Sequence, residues 1–282
     1  HRNNMSIAEI GTVTVAGNTT MLHLLAEEDP SGIGRAPITP VFVEQRTYPA
    51  GDLGLELAPN AEVVLLPSVS AYIGADIVSA AVAVDLDRSE ETTLLVDIGT
   101  NGELALRHDG SVYACSTAAG PAFEGASISS GVGGIAGAIR NWSRAGSQFS
   151  FETIGNADPL GVCGSGLLDL LATLLRDGIV EETGRMLPTE ELEELANDAL
   201  RAAYADRLTV DGNKEPAFEM AAPYLFTQAD VREVQLAKAA IAAGIDTLLS
   251  EAGIGVSDLD AVVLTGGFGH HLDVVSAVRI GL

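Results

Sequence analysis

The stretch from Leu94 to Glu103, LLVDIGTNGE, limits what this chain can fold into more than any other part of it. Leu94, Leu95 and Val96 read as a short buried strand. The chain then meets Asp97, turns through Gly99, Thr100, Asn101 and Gly102, and resumes with alternating polar and apolar residues from Glu103. This spacing predicts a hairpin with a polar tip, and two readings of the tip are open. Asn101-Gly102 is a favoured hairpin turn that needs no ligand. Alternatively, a strand ending in Asp-x-Gly-Thr suits a magnesium-bound polyphosphate. The carboxylate can hold a water of the hydrated metal, glycines let backbone N–H groups approach phosphate oxygens, and the threonine hydroxyl adds a donor.

The 282 residues, 47% hydrophobic and 19% charged, describe a globular chain of one or two domains. Fifteen basic residues against 39 acidic ones give a net charge of -24, which repels nucleic acid and anionic lipid, so neither is an expected partner. Cys115 and Cys163 are too few for a zinc site or an iron–sulfur cluster and read as reduced core residues. No apolar run is long enough to span a bilayer and no signal peptide is evident, so the cytoplasm is the default location. Both ends look cut, at His1 and at Gly281-Leu282, as in a piece of a longer protein.

Along the chain, Thr12–Ala16 reads as a strand, with Asn18 or Thr19 capping a helix from Met21 to Ala26. Val63–Leu66 is a second strand, followed by a helical pattern from Val69 to Val84 and a charged linker from Asp85 to Thr92. Beyond the hairpin, Ser111–Ser116 alternates as a strand, and Ala122–Ile139 holds too many glycines for a long helix. Glu124, the only charge there, is either an exposed carboxylate at a helix start or a catalytic or metal-related group. Gly161–Gly166 opens an apolar helix from Leu167 to Leu175, as an anion site or as tight packing. Glu181–Ala203 has the pattern of a solvated amphipathic insertion. Thr227–Asp230 has capping-box spacing before a long helix on which Gln235 and Lys238 share a face. Ala261–Leu264 is a last strand, and at Thr265–Gly269 the backbone can pass close to a flat ring.

The order strand-DIGTNGE, long excursion, strand-LTGGFG resembles the second lobe of the ASKHA superfamily, which includes acetate and sugar kinases, actin and the heat-shock ATPases. Five segments carry a closer resemblance: GNTTMLHLL from Gly17, VDIGTNGE from Val96, AAGPAFEGA from Ala118, GVCGSGLLDL from Gly161 and LTGGFG from Leu264. Together they are similar to the C-terminal domain of the reductive activators of corrinoid proteins, the RACo family. The resemblance implies an α/β, ribonuclease-H-like fold in two pieces. Residues 1–88 would be the closing half of a first lobe. Residues 89–282 would be a nearly complete second lobe with a helical insertion at about 181–225.

It also implies ATP and Mg2+ as cofactors, with a two-iron two-sulfur cluster in an N-terminal domain that lies outside this sequence. ATP hydrolysis would drive electrons uphill to cobalt(II) of a corrinoid methyltransferase partner, and a homodimer is left open. By resemblance, Asp97 orients the magnesium through water, Gly99, Thr100, Asn101 and Gly102 wrap the phosphates, and Gly266, Gly267 and Phe268 pack against adenosine. Gln235 and Lys238 would contact sugar or base, and Glu124 would position the attacking water. The other phosphate loop of the superfamily is not in this sequence, so nucleotide affinity of this stretch alone is expected to be weak or nil. A small-molecule kinase and a nucleotide sensor without turnover are the alternatives; a phosphorylated product marks the first and binding without hydrolysis the second.

Overall fold

The computed structural model describes residues 6–195 and 197–282. In chain order the elements are β1 (Thr12–Val15), α1 (Thr19–Leu25), β2 (Arg46–Pro49), β3 (Glu62–Leu65), α2 (Ala75–Ala83), β4 (Thr93–Ile98), β5 (Gly102–His108), β6 (Ser111–Thr117), β7 (Ala138–Ala145), β8 (Gln148–Thr153), β9 (Gly161–Val162) and α3 (Gly164–Arg176). There follow α4 (Asp198–Tyr204), β10 (Leu208–Val210), β11 (Pro216–Ala221), β12 (Tyr224–Thr227), α5 (Gln228–Ala252), β13 (Ala261–Thr265), α6 (Gly266–Gly269) and α7 (Val274–Ile280). The chain divides into two compact units: residues 1–95, 103–116 and 248–263, and residues 96–102, 117–247 and 264–282. Among the described residues no helix is long and apolar enough to cross a membrane.

In the first unit β1 pairs parallel with β3, Thr12 opposite Glu62, and β2 pairs antiparallel with β3. Leu22, Phe42, Val63, Leu65 and Ala75 are buried together. The Asn18 side chain accepts from the Met21 N–H at 2.9 Å, so Asn18 is the cap of α1. One turn on, His23 is fully buried and stacks on Phe42 at 4.4 Å. Its Nε2 accepts from the Val41 N–H at 3.0 Å, leaving Nδ1 to donate to the Thr19 carbonyl. The helix expected from Val69 begins only at Ala75, because residues 69–73 close a tight loop in which the Val69 and Ser70 N–H groups both bond the Ile73 carbonyl.

A four-stranded sheet runs in the order β13-β4-β5-β6. The three-residue connection from β4 to β5 and the Asp109-Gly110 turn from β5 to β6 permit only antiparallel neighbours. Both turn residues have positive φ, 44° and 80°, as a right-twisted two-residue hairpin requires. With a fourth strand next to the first, this is the order that the ribonuclease-H-like expectation calls for.

The second unit adds the sheets β8-β7-β9 and β10-β11-β12. The stretch at about 181–225 is therefore not a helical insertion. Among its described residues a 3-10 segment (Thr189–Glu194) and α4 are helical, whereas β10, β11 and β12 form an antiparallel meander that buries Phe218 and Phe226. On β11 only Phe218 and Met220 repeat at period two, too short a signal to mark a strand in the sequence, and their burial needs the rest of the unit. Trp142 lies at the centre, stacked on Phe151 at 5.6 Å and edge-on to Phe218 at 5.8 Å.

At the C-terminal end of α3, Asp177 accepts from Arg144 Nη2 at 2.8 Å, Arg176 Nε at 2.8 Å and the Tyr204 hydroxyl at 2.7 Å. Burial pushes the Asp177 carboxyl up, but these donors outweigh it and hold it at about 2, below the usual carboxylate range. A carboxylate depressed in the folded state stabilises the fold fully above the ordinary aspartate range and loses that contribution as pH falls towards its folded value. Acid titrations of unfolding should therefore show the stability gap between wild type and Asp177→Asn narrowing as pH falls from about 4 towards about 2. A gap independent of pH would exclude this origin.

Candidate functional site

β4 carries half-buried Asp97 to the end of its strand, and the chain then turns so that the Gly99 N–H bonds the Asn101 carbonyl at 3.0 Å. Thr100 and Asn101 are exposed at the tip. Gly102 is buried, and a Cβ there would lie 2.6 Å from Thr117 Oγ1 and 3.1 Å from Ile241. Packing beneath the hairpin therefore accounts for that glycine without a ligand.

β13, the neighbour of β4 in the sheet, delivers Gly266 to the same place. There the backbone takes φ +82°, and a Cβ would sit 2.2 Å from Asp97 Oδ1. Only glycine accommodates both the conformation and the carboxylate. Gly267 is exposed with open space beside it, and Phe268 is half-buried.

Glu124 closes a 3-10 turn (Pro121–Glu124) in which Phe123 is buried. The Thr100 hydroxyl donates to Glu124 Oε2, and the Cβ position of Gly99 is 3.7 Å from Oε1. Phe123 stacks on Phe268, centroids 5.2 Å apart and planes 15° from parallel. The first residue of α3 must be small as well, because a Cβ on Gly164 would meet the Phe123 carbonyl at 2.0 Å and the Phe268 ring at 2.7 Å. Of the two readings of the glycine run before α3, close packing is the one this geometry supports. The Phe268 ring is thus held between Phe123 and the start of α3.

Glu124, Gly267 and Phe268 border a cavity of about 920 Å³. Arg140 and Glu152 from the β7-β8 hairpin, Asp169 from α3, and His270 and His271 form further parts of its wall. Asp169 is buried, which pushes its carboxyl up; hydrogen bonds from Ser276 and Trp142 oppose that shift, and the Asp273 charge adds to it. Among the described residues no three His, Cys, Asp or Glu side chains gather as a metal site. A magnesium ion that keeps its waters and rides on phosphate oxygens needs no such cage, and one half-buried carboxylate beside a glycine bend fits that role.

Gln235 and Lys238 lie elsewhere. They line a second cavity of about 230 Å³ that shares no lining residue with the first. Gln235 Nε2 donates to the Thr183 carbonyl at 3.1 Å, and Lys238 Nζ to the Ile280 carbonyl at 2.9 Å. Asp97, Gly99, Thr100, Glu124, Gly266 and Phe268 are joined by direct contacts or by contacts through Phe123, whereas these two side chains are bound to backbone carbonyls.

Residues 91–282 match the family described as the C-terminal domain of RACo, the ASKHA domain, and residues 1–89 match the RACo middle region. The chain belongs to the RACo family. Its α/β fold is accordingly of the ASKHA type. This RACo chain is 35% identical to the corrinoid activation enzyme RamQ of Eubacterium limosum over 97% of its length and 46% of that protein. It is 26% identical to the [Co(II) methylated amine-specific corrinoid protein] reductase of Methanosarcina barkeri over 99% of its length and 52% of that protein. A solved structure, of a reductive activator for corrinoid, iron–sulfur protein, superposes with a TM-score of 0.86 at 35% identity over 99% of this chain and 44% of that one. The chain thus spans about half the length of the curated relatives it matches.

The cavity wall from Arg140, Glu152, Asp169, His270 and His271 was not legible in the RACo sequence. Alternation at Gln148–Thr153, QFSFET, was the available signal for β8. Nothing in the sequence says which face of that hairpin α3 covers.

Proposed function

We propose that this chain is the ATP-hydrolysing part of a reductive activator. In it, nucleotide binding and hydrolysis drive one electron from an iron–sulfur domain outside the chain to cobalt(II) of a corrinoid protein, giving cobalt(I). The observation that carries this reading is the approach of Gly266 to Asp97, which brings the ends of two neighbouring strands together as a cradle without side chains on one wall. The relatives' names supply the corrinoid partner. The two cysteines cannot make a cluster by themselves, so the electron enters from elsewhere.

Magnesium-ATP, when bound, supplies the phosphoanhydride whose hydrolysis makes the transfer favourable. Asp97 would hold a water of the hydrated ion, and the exposed Thr100–Asn101 tip would offer backbone N–H donors to the phosphates, the Gly99 N–H and the Thr100 hydroxyl being already bonded to the Asn101 carbonyl and to Glu124. Gly266 and Gly267 let the nucleoside approach, with Phe268 fixed from behind by Phe123. Glu124, on the Thr100 hydroxyl, orients the attacking water and takes its proton. Gln235 and Lys238 are left out of this nucleotide site.

The test is phosphate release by the full-length protein with a cobalt(II) corrinoid protein, anaerobically. Release should depend on the corrinoid protein and disappear in Asp97→Asn. Release that ignores either condition would overturn the assignment. Glu124→Gln should leave nucleotide affinity near wild type and slow hydrolysis roughly a hundredfold, the lower range for loss of a positioned base. Unchanged turnover would reduce Glu124 to a support for Thr100.

A further inference from the structure

Asp169 is the only charge between Gly164 and Leu175 of α3, and it is buried. Its Oδ2 accepts from Asn141 Nδ2 at 3.1 Å and from the Trp142 N–H at 3.3 Å, both on β7. Its Oδ1 accepts from the Ser276 hydroxyl at 2.7 Å, in the first turn of α7. The Ser276 N–H meanwhile donates to the capping carboxylate of Asp273 at 2.8 Å. Both donors of Ser276 are therefore used to fix where α7 begins. The chain between α6 and α7 is short, and Phe268 in α6 lies against Gly164, the first residue of the same helix α3. The segment 268–276 is thus tied to α3 at both ends, by an aromatic ring at Gly164 and by a hydrogen bond at Asp169.

We propose that Asp169 is a positioning residue: through Ser276 it sets the place of the Gly266–Phe268 bend and of the His270–His271 wall. It touches no part of the Asp97 cradle itself. A buried carboxylate that collects donors from two other elements is a stiff link, since without them its charge would stand unpaired in the interior; of the donors Trp142 is buried, Ser276 half-buried and Asn141 exposed. The proposal rests on the nucleotide reading for its functional consequence, but not for its structural one, and the two can be measured separately.

Ser276→Ala removes one donor and leaves Asp169 its contacts to β7, so the fold should persist. Two readouts apply to the full-length protein. The first is hydrogen exchange of the amides at 268–272 without nucleotide, where His270 and His271 are bonded to Gly266 and Phe268. Exchange there should rise roughly tenfold while the β7-β8 hairpin keeps its protection, as expected for a local opening. The second is magnesium-ATP affinity, which should weaken about tenfold, the worth of one hydrogen bond to a charged group. Ser276→Thr, which keeps the hydroxyl, should restore both. Unchanged exchange in Ser276→Ala overturns the proposal. So does faster exchange with wild-type affinity, which would show that the position of the bend does not matter to binding. Faster exchange in a protein whose wild type binds no nucleotide supports the link and removes the nucleotide reading instead.

Discussion

Gly266→Ala is expected to lower nucleotide-dependent activity roughly a hundredfold while the protein still folds. The glycine has φ +82°, where an L side chain carries a penalty of about 1–2 kcal/mol. Its new methyl would also sit 2.2 Å from Asp97 Oδ1, well inside contact distance. Either the carboxylate swings away or the bend moves, and each separates two groups that the proposed site needs together. A displacement of this size can lower the rate roughly a hundredfold. Magnesium-ATP affinity and phosphate release should fall together in this variant, because the phosphates and the nucleoside are held by the two groups displaced. Near-normal affinity in Gly266→Ala would show that the bend and the carboxylate serve packing alone. Gly267→Ala is the comparison: a Cβ there meets open space, so its effect on the fold should be small.

The largest loss of stability is expected from Asp177→Asn. The Asp177 side chain is 3% exposed, with Arg144 and Arg176 pointing at it and the Tyr204 hydroxyl donating to it. The amide keeps the shape but removes the charge that both guanidinium groups face, and it turns one acceptor into a donor. Breaking a buried ion pair on one side destabilises by about 3–5 kcal/mol. Denaturant midpoints should drop accordingly without a change in slope. Arg144 and Tyr204 are joined through this one carboxylate, so Tyr204→Phe combined with Asp177→Asn should lose less than the sum of the two single changes. A loss below about 1 kcal/mol, the range of an exposed pair, would mean that water reaches the network.

Short-range chemistry was readable before any coordinates. The LLVD run becomes β4, the Thr227–Asp230 spacing becomes a capping box with both bonds present, at 2.8 and 3.2 Å, and Asn18 caps α1. The glycine-rich span from Ala122 forms no long helix, as its composition predicts, since Gly125 and Gly131 let two backbones pass against each other. The meander after α4 is not legible in the sequence because its strands are three to six residues long, too short to show alternation. The β7-β8 hairpin went unread although Trp142, Phe149 and Phe151 alternate on it. Its aromatic face has meaning only once Phe218 and Tyr204 arrive from positions far along the chain.

By itself the sequence determined the local elements and the family, because caps, turns and strand runs depend on neighbours a few residues away and the five segments are distinctive together. Tertiary structure alone decided that Asp97 faces Gly266, that Glu124 holds Thr100, that Gln235 and Lys238 line a different cavity, and that Asp169 anchors Ser276. The physical reason is that each of these pairs is set by how strand ends are ordered in a sheet and by which helix face is covered. Those arrangements follow from burying the apolar surface of a whole unit at once, and no window of sequence contains that surface.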